Sequence, residues 1–164
     1  MVRGRGPRKS RAKFRELPIM TLEERATIFL NVDLDLGGQC DLEELLRHFQ
    51  PYVFVLNTTG QFLSVELNES FSSVDETIVG WIEVVKLLPP EAKNIWDQCE
   101  FRRMNIGIQG GVEPHETHFT ISSKTITLLA SIQSEIWFSV YAPSANSGFV
   151  RFGNAASARS SRGA

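Results

Sequence analysis

Two histidines and two glutamates fall within six residues at Glu113-Pro114-His115-Glu116-Thr117-His118, the most metal-like cluster in the chain. Imidazole nitrogen and carboxylate oxygen are ordinary ligands for zinc and related cations. The spacing lacks the helical His-Glu-x-x-His arrangement that sets two rings on one face, and on a strand side chains three apart point to opposite faces. A solvated loop therefore outweighs a metal-dependent hydrolase built on residues 113–118, which stands as an alternative.

The other chemistry-bearing residues divide in the same way. Gly107, Gly110 and Gly111 follow a strand pattern, but no Lys-Ser/Thr and no helix start comes after them, so they suit a turn better than a phosphate cradle. Cys40 precedes a helix start that would favour a thiolate, whereas Asp41 beside it would oppose one; a packed thiol is expected there. Trp81, Trp96 and Cys99 share helical spacing with Ile78, Val85 and Ile95, the signature of a core.

Two groups remain as binding candidates. Asp33, Asp35, Asp41, Glu43 and Glu44 cluster around the first strand end and the helix after it, where they could present an acidic patch to a basic partner. Trp137 and Tyr141 alternate out of phase with Ile136, Phe138 and Val140, and Arg103 and Asn105 out of phase with Met104 and Ile106. If that sheet face is open, Arg103, Asn105, Trp137 and Tyr141 form an aromatic and arginine patch of the kind that anchors protein interfaces. The expected partner-binding residues are thus Asp33, Asp35, Glu43, Glu44, Arg103, Asn105, Trp137 and Tyr141.

Positioning these residues requires a fold, and periodicity supplies one. A strand runs from Ala26 through the alternation of Val32, Leu34 and Leu36 to Gly37-Gly38. Asp41 and Glu44 form a capping box for a helix bearing Leu42, Leu45, Leu46 and Phe49. Tyr52–Leu56 and Phe62–Leu67 form a hairpin about Asn57-Thr58-Thr59-Gly60. Ser73 and Glu76 begin the longest helix, which ends before Pro89-Pro90, and a short helical turn with Ile95, Trp96 and Cys99 follows. Strands are then expected at Arg102–Gln109, at Phe119–Ile121 and at Ile136–Val140, with a helix capped by Ser122 or Ser123 before the last. The fold class is α+β: a two-layer sandwich of about six mostly antiparallel strands with three or four helices on one face.

Charge separates this segment from its flanks. Seven of the first fifteen residues are basic and none acidic, and the tail after Pro143 adds Arg151, Arg159 and Arg162 without an acid. The segment from Glu16 to Pro143 holds all 19 acids against seven bases, about −12, although the whole chain is only −2. Residues 1–20 read as a basic arm, 21–143 as one globular domain and 144–164 as a Gly, Ser, Ala and Arg tail. Met20 also offers an internal start, which would make the arm an upstream extension. The arm is no secretory signal and no stretch is apolar enough to span a bilayer, so a cytoplasmic protein without membrane attachment is expected.

One resemblance is carried by the second half. Trp96-Asp97-Gln98-Cys99, Phe101-Arg102-Arg103-Met104-Asn105-Ile106-Gly107-Ile108-Gln109-Gly110-Gly111, Phe119-Thr120-Ile121-Ser122 and Ile136-Trp137-Phe138-Ser139-Val140-Tyr141 together resemble a bacterial family, domain of unknown function forty-two seventy-nine. The resemblance implies a small α+β domain of the immunity-protein type, which binds and blocks a toxin or defence protein. It implies no catalytic residues and no cofactor, and the two basic tails depart from it.

The leading expectation is a non-enzymatic protein-binding module, in its finer form an immunity-like inhibitor. A nucleic-acid accessory protein acting through its basic tails is the second alternative, because lysine and arginine neutralise phosphate.

Overall fold

Alternation of Val32, Leu34 and Leu36 with Asn31, Asp33 and Asp35 produces a strand with one apolar and one polar face, and this strand is the centre of the domain. The computed structural model describes residues 26–142; the basic arm and the tail proposed for residues 1–20 and 144–164 lie outside them. The elements are β1 (Ile28–Gly37), α1 (Leu42–Phe49), β2 (Val53–Thr59), β3 (Phe62–Leu67), α2 (Val74–Lys86), α3 (Pro90–Gln98), β4 (Phe101–Gln109), α4 (Ser123–Ser131) and β5 (Glu135–Tyr141).

The five strands form one mixed sheet in the order β2-β3-β1-β4-β5. Pairing is antiparallel at β2/β3, β3/β1 and β1/β4, and parallel at β4/β5. A two-residue turn at Gly60-Gln61 closes the hairpin, so β2 runs three residues further than its apolar run suggests, through Asn57, Thr58 and Thr59. The parallel pair needs a crossover, and the segment after β4 supplies it with α4. The expected α+β two-layer architecture is observed. Phe119–Ile121 forms no strand, which reduces the sheet from the expected six strands to five. Its two apolar residues pack against the core from a loop instead, so their burial signal was real but their geometry was not that of a ladder.

All four helices share one core on the sheet face bearing Val32, Leu34 and Leu36 from β1, Leu63 and Val65 from β3, and Met104, Ile106 and Ile108 from β4. Helix α2 lies against β1 and packs on α4, and α1 packs on α3. The expected caps form: Asp41 Oδ1 accepts from the Glu44 amide at 3.0 Å, Ser73 Oγ from the Glu76 amide at 3.3 Å and Ser122 Oγ from the Thr125 amide at 3.2 Å. The Glu44 side chain does not complete a box; it pairs with Arg47 and His48 one turn on. Glu76 reaches back over the helix start, where its carboxylate accepts from the Ser72 amide and hydroxyl.

Phe49 meets Trp81 and Trp96 edge to face, each with ring centroids 6.4 Å apart. Both indoles are fully buried, as their helical spacing implied, and each N–H finds a carbonyl: Trp81 Nε1 donates to Val32 O at 2.8 Å and Trp96 Nε1 to Ile132 O at 3.1 Å. These bonds remove the cost of an unpaired buried donor, about 1–3 kcal/mol each.

Candidate functional site

The helices cover only one face of the sheet, and the residues out of phase with the core line the other. Strand register sets them in rows across the sheet. One row joins Phe54, Glu66, Asp33, Asn105 and Trp137 through successive cross-strand pairs, one residue from each of the five strands. The next row joins Asn57, Ser64, Asp35, Arg103 and Glu135. Six of the eight expected partner-binding residues belong to this face: Asp33, Asp35, Arg103, Asn105 and Trp137 in the two rows, and Tyr141 four residues beyond Trp137 on β5. Glu43 and Glu44 do not join them. They lie in the first turn of α1, in the helical layer, where they suit the helix dipole and where Glu44 is engaged with Arg47 and His48.

A polar chain fixes the centre. Ser64 Oγ donates to Asp35 Oδ1 at 2.6 Å, Asn105 Nδ2 to Asp35 Oδ2 at 3.4 Å, and Ser139 Oγ to Asn105 Oδ1 at 2.8 Å, which crosses β3, β1, β4 and β5. Beside it the Arg103 guanidinium is sandwiched between two rings, 3.9 Å from the Phe101 centroid and 4.1 Å from that of Trp137. Its Nε donates to Glu135 at 3.1 Å. Stacking and the carboxylate together hold the cation at the β5 side of the face.

Three carboxylates, Asp33, Asp35 and Glu66, occupy the middle without an ion pair among the described residues. Burial, then Glu66 opposite and Asp35 on the same strand, push the Asp33 carboxyl from its ordinary 3.8 up to about 7. Burial also raises Glu66. Aromatic side chains frame the group: Phe54 at one sheet edge, the Phe62 and Phe101 rings 6.4 Å apart at one end, and the half-exposed Trp137 and Tyr141 at the other edge.

A titration follows from this arrangement. In the unfolded chain Asp33 loses its proton near 3.8, and in the folded chain near 7. Between those values the folded state holds the extra proton, so stability falls as pH rises through that window and stays reduced above it. Asp33→Asn, which cannot ionise, is expected to raise stability by about 2 kcal/mol near pH 8 and to change it little near pH 4. Urea denaturation at the two pH values measures this; an equal effect at both would remove the titration.

The sequence reading missed Glu66, Ser64, Phe54, Phe101, Glu135 and Ser139. Ser64 and Glu66 were visible as the polar residues alternating with Leu63, Val65 and Leu67, but only the pairing of β3 with β1 brings them beside Asp33 and Asp35. Comparison with known protein families, curated proteins and solved structures finds no match.

The other candidates have less to support them. His115 and His118 are exposed, His118 faces Glu116 at 3.3 Å, and among the described residues no three His, Cys, Asp or Glu side chains converge as metal ligands. The Glu113 carbonyl accepts from the Thr27 amide at 3.1 Å, which ties the loop to the start of β1. A groove of about 390 Å³ between α2 and α4 contains Asp75, Lys86 and Lys124. Asp75 is occupied there: its carboxylate accepts from the Ser122 amide at 2.7 Å, and that bond holds its carboxyl below the ordinary range. No helix among the described residues is long and apolar enough to cross a membrane.

Proposed function

We propose that the domain is a non-enzymatic protein-binding module whose open sheet face receives a basic segment of a partner protein. The observation that carries this reading is the set of three carboxylates, Asp33, Asp35 and Glu66, without a cationic partner among the described residues, at the centre of a face rimmed by Phe54, Phe101 and Trp137. Crowded acids on a half-buried face cost folding free energy, as the raised Asp33 shows. A lysine or arginine arriving from a partner would neutralise them in a partly desolvated setting, where opposite charges attract more strongly than in water. The rings offer the apolar contact area that excludes water around such a pair.

The composition supports the same sign of partner, since residues 26–142 contain sixteen acids and six bases. Such a field speeds encounter with basic proteins and opposes nucleic acid at this face. In its finer form the proposal is an immunity-like inhibitor, with the acidic face occupying the basic surface of a toxin or defence protein.

The test is affinity capture by the full chain from native lysate, repeated with Asp33→Asn/Glu66→Gln and with Trp137→Ala. A basic protein retained by the unaltered chain is expected to be lost by at least tenfold with each variant, and to be released by rising salt. Equal retention by both variants, or retention of nucleic acid alone, would overturn the reading.

A further inference from the structure

Cys40 lies in the loop that carries the chain from β1 into α1, next to the N-cap Asp41, and Cys99 is the C-terminal cap of α3, two residues before β4. They are 59 residues apart in sequence, and their sulfur atoms are 2.8 Å apart. A disulfide bond is about 2.05 Å long, so a movement of under about 1 Å separates the two thiols from bonding distance.

The surrounding backbone already holds the two segments together. The Glu100 amide donates to Gly37 O at 2.8 Å, Arg102 Nη1 donates to Cys99 O at 3.0 Å, and Cys99 Sγ donates to Ile95 O at 3.4 Å. Gly38 adopts φ +127°, and a Cβ there would lie 2.8 Å from the Glu100 nitrogen. Only glycine permits this approach. A crosslink would therefore join positions that the fold has brought together for other reasons, without drawing separate elements across a gap.

We propose that Cys40 and Cys99 are a disulfide-forming pair, converted to an intramolecular crosslink by a small-molecule disulfide such as oxidised glutathione. Both thiols are buried, and Cys40, in the loop between β1 and α1, is assigned the first step. Its thiolate attacks one sulfur of the oxidant; the oxidant's S–S bond breaks and one thiol leaves. Burial, and then the hydrogen bond to Cys40 and the charge on it, push the Cys99 thiol up to about 12, so Cys99 does not compete as the first nucleophile. Once Cys40 is a mixed disulfide that charge is gone, and Cys99, surrendering its proton to the departing thiolate, attacks the Cys40 sulfur. The sum is one protein dithiol and one small disulfide converted to one protein disulfide and two small thiols. The closed loop contains α1, the β2/β3 hairpin, α2 and the whole of α3, so the crosslink constrains much of the unfolded chain.

The experiment incubates the reduced full chain, natively folded, with oxidised glutathione, then alkylates it in denaturant and reads intact mass, a non-reducing peptide map and a melting curve. The expected product has lost two hydrogen atoms, takes up no alkylating agent, yields a Cys40–Cys99 linked peptide and melts roughly 10 °C higher, reversibly with dithiothreitol. Cys99→Ser is expected to stop at a mixed disulfide on Cys40, whereas Cys40→Ser leaves Cys99 unmodified. Two alkylated thiols after prolonged native incubation, glutathione on both cysteines, or a crosslinked form that melts below the reduced one would overturn the proposal. The unaltered chain alone can overturn it, so the test does not depend on either serine variant folding.

Discussion

Trp81→Ala is expected to remove about 4 kcal/mol of stability, a large part of the 5–15 kcal/mol available to an ordinary domain. Trp81 is fully buried, meets Phe49 edge to face, and donates its indole N–H to Val32 O at 2.8 Å. Val32 lies in the middle of β1, paired with Ile106 of β4, so the indole ties α2 directly to the central strand. The loss combines a cavity beneath the centre of the sheet with the loss of that hydrogen bond. Trp81→Phe keeps most of the volume and is expected to cost about 2 kcal/mol, which separates the hydrogen bond from the packing. Urea denaturation monitored by circular dichroism measures both, and a Trp81→Ala cost below about 1 kcal/mol would show that the core refills the site.

Arg102→Ala is expected to cost about 3 kcal/mol, more than any surface ion pair in the domain. Its Nη1 donates to Trp96 O at 2.8 Å, Asp97 O at 3.3 Å and Cys99 O at 3.0 Å, and its Nε to Gln133 O at 3.1 Å. One guanidinium thus caps the last carbonyls of α3, where a cation also suits the helix dipole, and ties them to the turn between α4 and β5. Lysine has the charge but not the fork, so Arg102→Lys is expected to recover no more than about half of the loss. Recovery of full stability by lysine would reduce the residue's role to its charge.

Arg102 also marks a limit of reading by period. It alternates in phase with Met104, Ile106 and Ile108, which places it on the core side, yet no spacing rule indicates that four carbonyls from two distant turns converge there. Its neighbour Arg103 points to the other face and reads as an interface residue from sequence. The rings on either side of it, Phe101 and Trp137, come from different strands, and only the parallel pairing of β4 with β5 brings Trp137 within reach. The acids behave alike. Asp33 and Asp35 were grouped with Glu43 and Glu44 because they are close in sequence. The chain turns between them, and the strand's two-residue period sends the aspartates to the open face while α1 takes the glutamates into the helical layer.

Most inward-facing residues are legible in the order of apolar residues, because burial needs a period of two on strands and 3.6 on helices; Ile126 on α4 and Phe138 and Val140 on the edge strand β5 fit those periods and are nevertheless exposed. By itself, the sequence also determined where the helices start, since capping side chains act over three residues, and that the folded segment is acidic. Tertiary structure decided what that order could not encode locally: the number of strands, the strand neighbours and therefore the composition of the open face. Tertiary contacts join residues such as Asp33 and Glu66, or Cys40 and Cys99, that are tens of residues apart. Their proximity follows from the packing of the whole core, so the charge cluster and the thiol pair become visible only once the chain is folded.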